Sequence, residues 1–347
     1  MNQNYSLRQL GWQPYYQQQL SLEEYEQLNC ARITAHHRSE YVAQLETKKI
    51  ALPINKNLPA MTVGDWVLLD LDNHFVRQLD RHSLFSRKGA GSQIKQQHIS
   101  ANIDTLFIVS SLNQDFNLSR LERYLALAHD AEVEPVVVLT KTDLCQDAKD
   151  KAEQVQVLDP LLRVLTVNGL LEQAADTLSP WCKTGKTVSF VGSSGVGKST
   201  LINRLLGQEI ALTSGIREDD DKGKHTTTAR ALFISKNKGV IIDTPGMREL
   251  QLIGCEEGIQ NTFADIEALA KRCRFNDCHH VDEPNCAVLQ AIENQALDSR
   301  RLNNYQKLLR EQAYNNASLK QQKDKGKQLS KMYKRVLNES VNIKRGY

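Results

Sequence analysis

Apolar and β-branched runs alternate with segments of helical periodicity from about Ala101 onward. Leu106–Ser110, Pro135–Thr140, Thr187–Val191 and Val240–Asp243 read as buried strands; Leu118–His129 is an amphipathic helix, and Leu201–Leu206 lies on another. Buried strands alternating with helices predict a mostly parallel sheet covered on both faces. Upstream, between Cys30 and Lys88, the runs are shorter and separated by turns: Ala31–Ala35, Tyr41–Leu45 and Asp65–Leu69, the last opened by Gly64. That spacing predicts a small β-barrel or sandwich, for which an oligonucleotide-binding (OB) barrel is one candidate. A helix is expected at Leu22–Leu28. After about Thr262 the chain becomes a Cys/His cluster followed by polar, basic helix. Gln321–Gln328, rich in Lys and Gln, is expected to be mobile. The chain therefore reads as multidomain: an extension at 1–29, an OB-like barrel at 30–95, an α/β domain at 100–262, and a metal-binding helical region at 263–347.

Composition narrows the setting. There is no apolar stretch of about 18 residues, so no membrane span is expected, and the Gln- and Tyr-rich start does not read as a secretory signal. Three of the seven cysteines crowd into Cys273–Cys286, which favours a metal site in a reducing compartment over disulfides. A cytosolic protein is expected. Net charge is +3, but from Arg300 to Tyr347 there are about four times as many Lys and Arg as Asp and Glu. A basic terminus of this kind suits a polyanion such as nucleic acid.

Gly192-Ser193-Ser194-Gly195-Val196-Gly197-Lys198-Ser199 fits the P-loop pattern, with a β run before it and a helical pattern after it. Glycines let several N–H groups point at one phosphate chain, and the following helix offers its positive end to the same anion. Lys198 is expected to reach the β- and γ-phosphates, and the Ser199 hydroxyl to ligate magnesium. Asp243-Thr244-Pro245-Gly246 ends a buried strand run. There Asp243 can hold magnesium through water, and the Gly246 N–H can sense the γ-phosphate. Between these motifs lies Gly223-Lys224-His225-Thr226-Thr227-Thr228, preceded by Asp219–Asp221. One of Thr226, Thr227 and Thr228 is expected to touch magnesium and γ-phosphate, so that losing the phosphate releases the loop.

Thr140-Lys141-Thr142-Asp143 follows Pro135–Leu139 and has the T-K-x-D form of a guanine motif. The Asp143 carboxylate can accept from guanine N1–H and the N2 amino group. Adenine lacks that donor pair, and a buried carboxylate left unpaired costs a few kcal/mol. The order is unusual: the base motif precedes the P-loop, whereas most GTPases place it last. Joining old termini and opening the chain elsewhere can preserve the sheet and the site. The chain leaving Gly246 then runs straight towards the C-terminal region, so nucleotide state is expected to bias that region.

Cys273-x4-Cys278-x-His280-x5-Cys286 supplies three thiolates and an imidazole, the closed donor set of a structural zinc site, with His279 as the alternative nitrogen ligand.

Taken together, T-K-T-D, G-S-S-G-V-G-K-S-T ending at Thr200, G-K-H-T-T-T, D-T-P-G and the Cys/His spacing resemble the ribosome small-subunit-dependent GTPase A (RsgA) family from about Cys30 to Ile292. The resemblance implies an OB barrel, a circularly permuted P-loop GTPase and a zinc domain. It also implies GTP with Mg2+, one Zn2+, binding to the small ribosomal subunit and its rRNA late in assembly, and hydrolysis stimulated by that subunit. A monomer is expected. The chain departs from the family at Lys224, usually arginine, and at Thr166-Val167-Asn168, where a second base-contacting motif is not recognisable. Trp12–Tyr16 exceed the family pattern.

Met247 stands where many GTPases carry a water-orienting glutamine, and a thioether cannot do that job. Slow intrinsic hydrolysis is therefore expected. Within the chain, His225 is the candidate to complete the site; a group supplied by the ribosome is the other. A GTP-dependent RNA-binding scaffold with negligible turnover is the rival class.

Overall fold

The computed structural model describes residues 4–88, 96–113, 115–208, 231–243, 247 and 252–317. In its N-terminal part, β1 (Asn29–His36), β2 (Glu40–Gln44) and β3 (Lys49–Pro53) form an antiparallel meander. β4 (Trp66–Leu69) pairs with the first half of β1, and β5 (Phe75–Gln78) pairs with β4. A register shift between Ile33 and Ala35 bends β1. The sheet curls into an OB-like half-barrel around Ile33, Tyr41, Leu52, Met61 and Val67. A hairpin of β6 (Leu84–Lys88) and β7 (Gln96–Ala101) leads out of it.

The residues before the barrel pack on it. Leu10, Trp12 and Tyr16, the last in α1 (Pro14–Gln17), lie against Trp66, Leu68 and Leu79, with Trp12 and Trp66 edge to face at 4.8 Å. Next comes α2 (Leu22–Gln27), started by a Ser21/Glu24 capping box. Arg32, fully buried, pins these parts together. Its guanidinium donates to Leu10 O, to Gly64 O (3.2 Å), to Asn102 O (3.1 Å) and to Thr187 Oγ1 (3.0 Å), and it lies over the Trp66 ring.

From β8 (Thr105–Ser111) the chain builds a second sheet with β9 (Glu134–Thr140), β10 (Arg163–Thr166), β11 (Thr187–Val191), β12 (Ala231–Ile234) and β13 (Val240–Asp243). Its order is β10-β9-β8-β11-β13-β12. The first five strands are parallel; β12 is antiparallel to β13 and touches β1 through Ala35 and Ala231. Every residue of β8 and β11 is buried, which explains their unbroken apolar runs. One face packs on α5 (Gln173–Leu178) and α6 (Lys198–Leu206) through Leu178, Leu201 and Leu205. α3 (Leu118–Asp130) and α4 (Ala148–Gln156) help cover the other face.

That second face is continuous with the C-terminal helices: α7 (Glu256–Thr262), α8 (Ala264–Ala270), α9 (Ala287–Glu293) and α10 (Ser299–Asn316). Glu122 of α3, fully buried, accepts from Arg300 (2.9 and 3.0 Å), Arg301 (3.0 Å) and Asn304 (2.5 Å), all on α10. Arg301 also reaches Asp265 (2.7 and 2.8 Å). Among the described residues no helix is long and apolar enough to cross a membrane. Residues 318–347, which include Gln321–Gln328, lie outside the described residues.

Replacing Arg32 by Met would leave buried carbonyl oxygens without a donor. Arg32→Met is expected to destabilise the protein by about 3 kcal/mol, read as a lowered thermal unfolding midpoint.

Candidate functional site

The P-loop links the buried end of β11 to the start of α6. Its backbone demands glycine at the first position. Gly192 has φ 146°, and a Cβ there would lie 2.1 Å from Val109 O of β8. Gly197, at φ 100°, is the N-cap of α6. Lys198 is buried and folds its ammonium back over the loop, donating to Gly192 O at 2.7 Å and Ser193 O at 2.5 Å. Ser199 and Thr200 stand half-buried in the first turn of α6, the end where backbone N–H groups favour an anion.

The guanine-type motif reaches the same place from β9. Thr140 is buried, and its Oγ1 donates to Val196 O in the P-loop at 2.6 Å. Lys141 takes a left-handed conformation, φ 60°, which turns the chain into the short 3-10 turn Thr142–Leu144. Asp143 in that turn is exposed. Selectivity through this carboxylate therefore requires a base to cover it.

Thr166-Val167-Asn168, where no second motif is legible in the sequence, also comes to this region. Val167 N donates to Leu139 O at 2.8 Å. A methyl group on Gly169 would lie 3.7 Å from Leu201 Cδ2 and 3.8 Å from Thr200 Cγ2. The segment after β10 thus lies beside the first turn of α6. The signal that could have found it is the N-G pair after a β run, a turn mark that also has many other origins.

Asp243 ends β13, the strand directly beside β11. Thr244–Gly246 lie outside the described residues, as does the loop carrying Asp219–Asp221, Lys224, His225, Thr226, Thr227 and Thr228. Met247 is buried, accepting a hydrogen bond from Ser100 Oγ at 3.5 Å. Its thioether belongs to the core rather than to the phosphate site, consistent with the reading that it orients no water. A residue the sequence reading passed over is Arg120, in the first turn of α3: its Nη1 donates to Ser193 Oγ at 2.5 Å. Nothing in the sequence marks an arginine on an amphipathic helix as reaching a loop 73 residues away.

In the C-terminal region, ligand atoms of Cys273, Cys278, His280 and Cys286 lie within 4.8 Å of one another. His280 Nδ1 is 3.3 Å from Cys286 Sγ and 3.7 Å from Cys273 Sγ. His280, at φ 56°, turns its ring inward, so it rather than His279 joins the set. Burial holds the His280 imidazole below its ordinary value, leaving it neutral and able to ligate at neutral pH. Burial opposes the Cys273 thiolate, but N–H donors from Val288 and Ala287, together with hydrogen bonds from Cys286 and Cys278, bring the thiol below its usual value. Burial pushes Cys278 up to about 12. Three thiols this close ionise together only beside a cation, and a soft tetrahedral donor set suits a d10 metal ion. Gln306 Nε2 of α10 donates to His279 O at 3.0 Å, tying the cluster to the helix that packs on α3.

A family model described as RsgA GTPase matches residues 78–253. The chain is 56% identical over 341 residues to "Small ribosomal subunit biogenesis GTPase RsgA 2" of Vibrio parahaemolyticus, covering 98% of this chain and 95% of that protein. It is 44% identical over 316 residues to "Small ribosomal subunit biogenesis GTPase RsgA" of Mesorhizobium japonicum, covering 89% and 91%. Among solved structures, YjeQ from Thermotoga maritima superposes with TM-score 0.61 at 25% identity over 81% of this chain and 99% of that one. YloQ, described as a circularly permuted GTPase, superposes with TM-score 0.58 at 23% identity over 86% and 99%.

The Thr140–Val196 bond ties the two nucleotide motifs together. Thr140→Val is expected to weaken guanine-nucleotide binding by roughly tenfold, the loss of one buried hydrogen bond of about 1–2 kcal/mol. Isothermal titration with GDP checks this; an unchanged affinity would show that the bond does not shape the loop.

Proposed function

The chain belongs to the RsgA GTPase family, and on that premise we propose that it binds the small ribosomal subunit during its biogenesis and hydrolyses GTP to GDP and phosphate when the subunit is present. The observation that carries this is the convergence of T-K-T-D and the P-loop through Thr140 and Val196, within a fold like that of a circularly permuted GTPase. Both curated relatives described above carry small-subunit biogenesis in their names.

In this reading Asp143 recognises guanine, with Lys141 packed over the ring. The loop 192–197 and Lys198 hold the phosphates, and Ser199 and Asp243 hold Mg2+, directly and through water. Magnesium neutralises the β- and γ-phosphate charge. One of Thr226, Thr227 and Thr228 senses the γ-phosphate. With Met247 turned into the core, the group that orients water has to come from elsewhere, and His225 or a ribosomal group fills that role. This supports a slow basal rate and stimulation by the partner.

Cys273, Cys278, His280 and Cys286 hold a structural zinc ion, since four protein ligands leave no open position for chemistry. The basic terminus beyond Arg300 contacts rRNA, and the protein acts in the cytoplasm.

Turnover measured with purified small subunits, with large subunits and with neither tests the assignment. Small subunits are expected to raise kcat by about tenfold or more, as a completing partner does in other GTPases, and large subunits to leave it at the basal rate. Equal rates in all three would sink the partner assignment. His225→Ala is expected to remove most of the stimulation; an intact stimulated rate would transfer the role to the ribosome.

Elemental analysis of the purified protein is expected to find about one zinc per chain. Cys278→Ser is expected to lose it and lower the thermal midpoint. Another bound metal would reassign the site.

A further inference from the structure

Two cations meet at one residue of the P-loop. Lys198 Nζ donates to Ser193 O, and Arg120 Nη1 donates to the Oγ of the same serine, each at 2.5 Å. Arg120 arrives from a different βα unit. Asn117 caps α3 by accepting from Arg120 N at 2.9 Å, which fixes the backbone from which the side chain leaves. On its other side the guanidinium is held by Asp115, through Oδ1 at 2.5 Å and the carbonyl at 3.4 Å.

All these bonds leave from Nη1. Nε and Nη2 of Arg120 have no protein partner among the described residues, and the side chain is 38% exposed. A guanidinium is charged at every accessible pH and carries five donors in a planar fork suited to phosphate oxygens. Two like charges converge on Ser193 and repel each other, and Asp115 stands beside Arg120. An anion that both can reach removes the conflict. The P-loop lysine marks the β/γ end of a bound triphosphate, and Arg120 meets the same serine as that lysine.

We infer that Arg120 is a phosphate-contacting arginine supplied by α3 to the terminal phosphates of bound GTP. It rests on the GTP-hydrolysing reading above. The unspent fork binds γ-phosphate oxygens, and the charge developing there in the transition state strengthens the contact. Asp115 parks the side chain beside the loop between turnovers.

The test uses the full-length protein and its Arg120→Ala, Arg120→Lys and Ser193→Ala variants. Affinities for GDP and for a non-hydrolysable GTP analogue are measured with Mg2+, along with subunit-stimulated turnover. Arg120→Ala is expected to weaken the GTP analogue roughly tenfold more than GDP, the value of one charge-assisted contact, and to lower kcat. Arg120→Lys, keeping the charge without the fork, is expected to recover part of both. Ser193→Ala removes only the contact with the loop and is expected to shift both nucleotides together. GDP binding by each variant is the folding control. An Arg120→Ala protein with the GTP-to-GDP affinity ratio of wild type would reduce Arg120 to a brace for the loop and overturn the inference. Wild-type protein that bound neither guanine nucleotide would instead sink the GTPase reading.

Discussion

The nucleotide region depends on one constraint: β9, β8, β11 and β13 lie side by side and parallel, buried on both faces. Parallel alignment puts the carboxyl end of every strand on the same edge of the sheet, and ligand sites of open α/β sheets form along that edge. T-K-T-D begins on the last residue of β9, the P-loop follows β11, and Asp243 is the last residue of β13. Chain order drops out of the geometry. The motifs run β9, β11, β13 along the chain, yet the strands sit as neighbours or with β8 alone between them. A cut and rejoin elsewhere in the domain leaves this edge intact, which is how a permuted chain keeps the site.

A second constraint binds the C-terminal helices to that sheet. Glu122 is a buried carboxylate, and losing its partners would strand a charge in the core. Arg300, Arg301 and Asn304 meet it, so α10 is held on α3 by polar contacts of definite geometry as well as by Leu302 and Leu308. Arg120 and Glu122 lie two positions apart on one helix, about 200° round its axis. One face of α3 therefore addresses the P-loop and another holds α10. The helix thus links the P-loop to α10, which in turn reaches the Cys/His cluster through Gln306. The N-terminal extension, which sequence gives no role, packs on the barrel and is tied through Arg32 to the start of β11.

Most of the central domain was legible. Leu106–Ser110, Pro135–Thr140, Thr187–Val191 and Leu118–His129 match β8, β9, β11 and α3 to within a residue or so at each end, because strands buried on both faces must be apolar throughout. The weaker elements were missed. In β3, β5 and β10 most residues keep some exposure, so neither periodicity nor an apolar run marks them. The motif spacings were legible because phosphate, guanine base and metal ion each demand particular atoms at short range along the chain.

By itself the sequence determined the donors: a glycine-rich turn ending in Lys198 and Ser199, a carboxylate at Asp143, and three thiols with an imidazole. Local spacing suffices there, since each motif is built from residues a few positions apart. Tertiary structure alone decided which groups meet across long separations. It brought Thr140 to Val196, Arg120 to Ser193 and Glu122 to α10, turned Met247 inward, and chose His280 over His279. Those outcomes follow from backbone direction and packing, which a string of residue types does not encode position by position.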